Sequence, residues 1–509
     1  ALRGWMRGRG ATGWVVVAAA AWQVGCAAGA PAAPVVPRPS LGSVIDSITS
    51  APPLHRTSWG ILVMDGDTRR VLYSLNAEKH YIPASNTKLV VGVVALGRFG
   101  PEYRYRTPVL LAGRTADSAV AVIVAGRGDP TWSARFHDSV AVPLDSMAAL
   151  IAASGVRSIG AVVLDVSRFR DDLVNGTWEA GDLPGIYAPP VDAVAAAEGT
   201  FALELRGGAA AGDTAYASVI GPLTQPFRAA LVTDTAGARP SLSVDYTARR
   251  DTIYLTGSVG AGAVDTVARA VTQPARSVGG ALVQLLRTRG VDVDSIVVLR
   301  DSAEAAMLRA GADTIAEWVS PPMREIVSAI LRPSQNWMAE QVLKSLGAEL
   351  GEEGSWRGGI GVEREYLYAV AGIDSGAVNL RDASGMSAQN LLSPAATVAL
   401  LLHARAQPWS DTFRDALAAA GLEGTTLSGR LRPLEGRVFG KTGTISNVNS
   451  LSGYLVGRDG RDIVFSIMSN GSGLPSGMVR EAIDAVVLAI ARDVDGVAAT
   501  ADNGRGGRE

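Results

Sequence analysis

Hydrophobic residues concentrate in short segments near opposite ends of the chain, each bounded by turn-forming residues. The first is Trp59-Gly-Ile-Leu-Val-Met-Asp65, followed by a Gly-Asp-Thr-Arg turn and Val71-Leu-Tyr-Ser-Leu75. The second is Leu451-Ser-Gly-Tyr-Leu-Val456, an Asp459-Gly460 turn and Ile463-Val-Phe-Ser-Ile-Met468. Each predicts a strand, a turn and a strand, because turn residues separate apolar runs of strand length. From about Gly477 the period changes, and Val479, Ile483, Val486, Val487 and Ile490 fall on one helical stripe. Two terminal hairpins and a terminal helix predict one antiparallel sheet closed by both chain ends, with helices on its faces.

The middle of the chain has a different texture. Val120-Ala-Val-Ile-Val124, Ala161-Val-Val-Leu164 and Thr252-Ile-Tyr-Leu255 are short apolar alternations between Gly, Asp and Pro turns, with few long helical stripes. This predicts one or two β-rich modules over residues 104–272, inserted into a domain made of 46–103 and 273–496. The fold class expected is α/β of the α+β kind. Residues 27–45 are Ala/Pro-rich and read as a linker, and 497–509 are polar and Gly-rich and read as a disordered tail.

Composition narrows the function. The 509 residues are 47 % hydrophobic and 19 % charged, with a formal net charge of −2, too balanced for a nucleic-acid binder. Arg3, Arg7 and Arg9 precede an apolar run from Trp14 to Trp22 and small residues around Gly25-Cys26-Ala27, a secretory signal pattern over 1–26. Its core is short for a membrane span. Export to the periplasm or cell envelope is therefore expected. Cys26 stands where a lipoprotein would be acylated; Gly25 suits that and Gln23 does not, so anchoring through a lipidated Cys26 stays open. Cys26 is the only cysteine and there are four histidines, with no HExxH or CxxC, so neither a metal site nor a cysteine-protease arrangement is expected.

Lysine is the rarer basic residue: only Lys79, Lys88, Lys344 and Lys441 stand among 47 Lys and Arg. A desolvated lysine amine can lose its proton at neutral pH, whereas a guanidinium cannot. Lys88 lies in Pro83-Ala-Ser85-Asn-Thr-Lys88, ahead of an apolar run, so a helix would put Lys88 on the face of Ser85. A buried amine there could take the hydroxyl proton; a serine cap beside a surface lysine fits the same spacing. Lys441 lies in Phe439-Gly-Lys441-Thr442-Gly443-Thr444, where an amine, two hydroxyls and strand N–H groups suit a carboxylate or oxyanion. Arg332-Pro333 ends a helix carrying Met323, Ile326, Val327, Ile330 and Leu331, and a second helix is expected up to Leu346 with Gly347 as its stop. Ser334 and Asn336 fall on the break, facing a cleft or capping the second helix. Lys344 follows Glu340 by four residues and reads as a helix-surface pair, and Lys79 as an exposed turn residue.

Ser85-x-x-Lys88, Ser334-x-Asn336 and Lys441-Thr-Gly443, in that order, resemble the three motifs of penicillin-binding proteins and serine β-lactamases. The insert of about 250 residues between the first two is similar to the D-alanyl-D-alanine carboxypeptidase/endopeptidase family of low-molecular-mass penicillin-binding proteins. Gly126-Arg-Gly-Asp-Pro130, Ser320-Pro-Pro322, Asp382-Ala-Ser-Gly-Met-Ser387 and Ser450-Leu-Ser-Gly-Tyr454 resemble that family too, with Ala383 in place of its usual glycine and Gln335 where Asp or Asn is common. The resemblance implies a transpeptidase/β-lactamase-like domain with inserted modules. It implies Ser85 as nucleophile on peptidoglycan stem peptides, Lys88 as base, and oxyanion-binding N–H groups at Ser85 and Thr444. Lys441, Thr442 and Thr444 in the Gly443 motif would hold the substrate carboxylate, Ser334 would relay a proton and Asn336 would orient the substrate amide. β-Lactams would be covalent inhibitors, and no cofactor or metal enters. A β-lactamase or esterase, and a non-catalytic cell-wall scaffold, are the alternatives.

Overall fold

Both predicted hairpins join one sheet. The computed structural model describes residues 39–505, apart from 184, 222, 224 and 246–251, with the backbone alone at 497–505. The signal segment and the linker as far as residue 38 lie outside the described residues. Ser58–Asp65 pairs with Val71–Leu75 on one side and with Asp462–Asn470 on the other, and Val448–Val456, Val438–Ile445 and Ala418–Ala419 complete six antiparallel strands. The first and last segments of the domain are thus neighbours at the sheet centre.

Alternation along the strands explains why the sheet is covered on both faces. Ile61, Val63, Phe465 and Ile467 pack with Ile45 of helix Leu41–Ser50 and with Val479 and Ile483 of helix Ser476–Arg505. Leu62, Val464 and Met468 point the other way, into the core of helices Lys88–Arg98 and Pro394–Arg405. Two expectations at the chain ends change. Leu41–Ser50 is a helix that takes in the last residues of the expected linker, its stripe of Leu41 and Ile45 buried on the sheet. The C-terminal helix continues to Arg505, where disorder was expected from residue 497.

The middle of the chain forms two further sheets. One is a six-stranded sheet built from Thr200–Arg206, Thr214–Ile220, Phe227–Asp234, Ser241–Asp245, Ile253–Gly260 and Val264–Ala270. The other is five-stranded, in the order Asp292–Leu299, Ser158–Asp165, Ser118–Ala125, Arg106–Ala112, Ala312–Val319. Its pairing crosses the boundary expected at residue 272, so on sheet membership the inserted material runs on to Val319. The reason is topological: Ser118–Ala125, Ser158–Asp165 and Asp292–Leu299 are parallel neighbours. Parallel neighbours need long crossovers. Helices Ala141–Ala153 and Pro274–Thr288 lie within those two connections and pack on each other, so this sheet is α/β rather than purely β-rich. The chain then re-enters at Met323–Leu331, directly ahead of Ser334.

Candidate active site

Ser85 sits in a single tight helical turn, Ala84–Thr87, that leads into helix Lys88–Arg98. Three residues of helical advance bring Lys88 Nζ within 2.9 Å of Ser85 Oγ. Nζ also reaches Asn336 Oδ1 at 2.6 Å and the Ser384 carbonyl at 2.5 Å. Ala84 has a φ of +48°, a left-handed conformation that a non-glycine residue holds only when its surroundings enforce it. The enforcing neighbour is the loop at Gly385, where φ is +83° and a Cβ would lie 1.9 Å from the Ala84 carbonyl oxygen. From the other side Gly443 backs onto the same turn: a Cβ there would meet Pro83 O at 2.7 Å and Ser85 N at 3.1 Å.

Ser334 does not cap the helix after it. Gln335 does, its side chain accepting from Met338 N, and the helix runs Asn336–Leu350 rather than stopping at Gly347. Ser334 adopts a φ of +67° between the two helices, and this strained placement turns Oγ toward Lys441 Nζ, 2.8 Å away. Lys441 Nζ also donates to its neighbour's carbonyl at Thr442, again at 2.8 Å. Alternation along Val438–Ile445 sends Lys441 inward and leaves Thr442 and Thr444 facing outward.

The expected residues thus come together with a division of place. Ser85, Ser334, Asn336, Thr442 and Thr444 line one cleft of about 670 Å³, and Lys88 and Lys441 are fully buried beneath it. Burial lowers Lys88 to about 7 against the opposing pull of Asp382 and Glu340. It pushes Lys441 well below the ordinary lysine value, with the charge of Lys88 adding to the effect. The inserted region completes the wall: Glu179, Asp182 and Tyr187 line the cleft, and the Tyr187 carbonyl accepts from Asn336 Nδ2 at 2.8 Å. Gln335 Nε2 reaches Glu198 Oε2 at 2.5 Å, and Arg135 binds the same carboxylate.

Two residues given other roles in the sequence belong near this site. Lys344 is no surface partner of Glu340; it is buried, ion-paired with Asp171 and set 4.2 Å over the Trp356 ring. Glu340 is buried as well and accepts hydrogen bonds from Ser384 N at 2.7 Å and Trp356 Nε1 at 2.8 Å. The available signal was the helix itself, which is buried from Trp337 through Gly347 with two charges inside it.

Two serine hydroxyls, each bonded to a buried lysine, beside an antiparallel sheet flanked by helices, define a serine hydrolase of the transpeptidase/β-lactamase-like class. The fold is similar to penicillin-binding protein 4 of Haemophilus influenzae, with a TM-score of 0.74 and 20 % identity over 85 % of this chain and 94 % of that one. Residues 41–492 match the D-Ala-D-Ala carboxypeptidase 3 (S13) family, and the chain belongs to that family of serine-type D-Ala-D-Ala carboxypeptidases. It is 34 % identical to a D-alanyl-D-alanine carboxypeptidase of Actinomadura sp. (strain R39), over 87 % of this chain and 84 % of the relative. It is 27 % identical to carboxypeptidase DacB of Mycolicibacterium smegmatis, over 84 % and 79 %. The Haemophilus protein also has a solved β-lactam complex, at a TM-score of 0.72 and 19 % identity over 88 % of this chain and 99 % of that one. No helix among the described residues is long and apolar enough to cross a membrane.

Proposed function

We propose that the carboxypeptidase reaction proceeds through an acyl-enzyme on Ser85, with peptidoglycan stem peptides as substrate and penicillin as a covalent inhibitor. The observation that carries this is the hydrogen-bonding of Lys88. A neutral amine keeps two N–H donors and one lone pair. Asn336 Oδ1 and Ser384 O take the two hydrogens, which leaves the lone pair for the Ser85 hydroxyl.

Lys88 takes the hydroxyl proton as Ser85 Oγ bonds to the carbonyl carbon of the penultimate D-Ala. Backbone N–H groups of Ser85 and Thr444 stabilise the oxyanion, and Thr442 and Thr444 receive the substrate carboxylate on the cleft wall. Collapse breaks the C–N bond, and the leaving amine takes a proton from the Ser334 hydroxyl, which is restored by the proton Lys88 took from Ser85, so Lys88 is neutral again; Lys441, 2.8 Å from Ser334 Oγ, orients that hydroxyl. Water then attacks the ester with Lys88 again as base, and Ser85 regains its proton. With a cross-linked peptide the same steps amount to an endopeptidase. The N-terminal signal pattern fits export to the envelope, where this substrate lies, with an acylated Cys26 as the anchor to be tested by fatty-acid labelling of a Cys26→Ala variant.

Labelling with a fluorescent penicillin, alongside D-Ala release, tests the assignment. Ser85→Ala and Lys88→Arg are both expected to lose label and turnover. A fully labelled Ser85→Ala protein removes the nucleophile assignment, and an active Lys88→Arg protein removes the base.

A further inference from the structure

Behind Lys88 the structure holds a group of acids that the acyl-transfer scheme does not use. Glu340 lies one helical turn beyond Asn336 on the same face and is fully buried. Its Oε1 accepts from Ser384 N at 2.7 Å and from Ala383 N at 3.2 Å, and its Oε2 accepts from Trp356 Nε1 at 2.8 Å. Ser384 is therefore held at both ends of its peptide environment: its N–H by Glu340, its C=O by Lys88 Nζ at 2.5 Å. Asn336, the other acceptor for the amine, rides on the same helix as Glu340.

We propose that Glu340 is a positioning residue for Lys88: its carboxylate fixes the Ala383–Ser384 backbone and, through Ser384, holds the amine hydrogens away from Ser85. The idea rests on Lys88 being the base. Its geometry is specific, because both acceptors that orient the Lys88 hydrogens depend on this one helix: Asn336 belongs to it, and Glu340 holds the Ala383 and Ser384 N–H groups of the loop that carries the second.

The surrounding charges decide what Glu340 contributes. Lys88 is faced by Asp382 from the loop, by Glu340 from helix Asn336–Leu350, and by Lys441 from the strand. Glu340 is faced by Asp382, by Glu363 of helix Trp356–Glu365, and by Lys344, whose amine is committed to Asp171. Asp382 is itself fixed by Gly385 N, Ser387 N, Asn390 Nδ2 and Trp178 Nε1. Glu363 is the opposite case: fully buried, with no hydrogen-bond partner for either oxygen among the described residues, and pushed well above the usual carboxylate range by burial and by the two other acids. Glu363 is the neutral member of the group; burial and the charge of Asp382 raise Glu340 to about 7, and the hydrogen bonds from Ser384 and Trp356 hold it there, so its anion is present from neutral pH upward.

The test is the pH dependence of acylation by a fluorescent penicillin, read as the second-order rate constant. Glu340→Gln removes the negative charge that Glu340 carries from neutral pH upward and that favours protonated Lys88, so the acid limb moves to lower pH, by up to about one pH unit, the value for a full charge acting across one peptide. A glutamine amide facing Trp356 Nε1–H would set two donors against each other. The Glu340→Gln/Trp356→Phe double variant relieves that clash and is expected to show the same displaced limb. Glu363→Gln is expected to leave the limb where it is. A Glu340→Gln protein slower at every pH with an unmoved limb would reduce Glu340 to a structural support and overturn the proposal. So would a Glu363→Gln protein whose limb moves as far. An active Lys88→Arg variant is a different failure, since it removes the base and leaves the geometry around Glu340 with nothing to position.

Discussion

The Lys88–Asn336 contact allows the base to be titrated deliberately. Asn336→Asp is isosteric and places a carboxylate oxygen where Oδ1 now sits, 2.6 Å from Lys88 Nζ. In the native site burial holds the amine at about 7, so the acylation rate should fall tenfold per pH unit below neutrality and level off above pH 8. A carboxylate in direct contact at an effective dielectric near 20 favours the charged amine by several kcal/mol, of which part is lost to desolvating the new acid. A net rise of about two units follows, leaving roughly 1 % of Lys88 neutral at pH 7 instead of about half. Acylation at pH 7 should therefore slow about fifty-fold and recover most of the loss by pH 9.5. The variant also loses the donor to the Tyr187 carbonyl, so its plateau should be lower; the position of the limb, not its height, carries the information. Stopped-flow labelling with fluorescent penicillin from pH 5.5 to 9.5 measures both. A wild-type limb near pH 10, or a variant equally slow at pH 7 and 9.5, would refute a neutral Lys88 as the base.

Other consequences are open to simpler assays. Gly385→Ala, whose Cβ would overlap the Ala84 carbonyl, should displace the Ser85 turn and cut acylation by at least tenfold, with penicillin labelling compared at equal folded fraction by circular dichroism. Lys344→Met should destabilise the fold by about 3 kcal/mol in denaturant unfolding by stranding Asp171, and the Lys344→Met/Asp171→Asn pair should recover part of that loss. Glu198→Ala frees Gln335 and Arg135 from their shared carboxylate, so KM for a stem-peptide substrate should rise several-fold with kcat little changed. Its effect should not add to that of Gln335→Ala, and full additivity would show that the two do not act together.

The contrast between Lys88 and Lys344 shows where reasoning from the sequence works and where it stops. Ser85 and Lys88 are three residues apart, so helical geometry alone brings their side chains together, and the 2.9 Å contact needs no tertiary information. The same local rule, applied to Glu340 and Lys344, pairs them on a helix surface, but that surface does not exist. Helices Lys88–Arg98 and Trp356–Glu365 pack against Asn336–Leu350, and each charge finds a partner remote in sequence: Glu340 at Ser384, Lys344 at Asp171. A spacing rule therefore holds when both partners belong to one turn and fails when burial brings in competitors, because a desolvated charge takes the best available partner rather than the nearest in sequence. The boundary read at residue 272 fails for a related reason. The stripe of Val278, Leu282 and Leu286 in Pro274–Thr288 reports that one face is buried without reporting against what, and the answer was Leu164 and Ile296 of the parallel sheet, which crowd the same helix at Gly279. Ser334 needed both kinds of information. Its place after Arg332-Pro333 was legible as a break, but its use was decided by Lys441, 107 residues away, which the left-handed backbone at Ser334 turns its hydroxyl to meet. Strain of that kind persists only where surrounding structure enforces it, so Ser334→Gly, which removes the backbone penalty together with the hydroxyl, should raise the melting temperature while abolishing turnover.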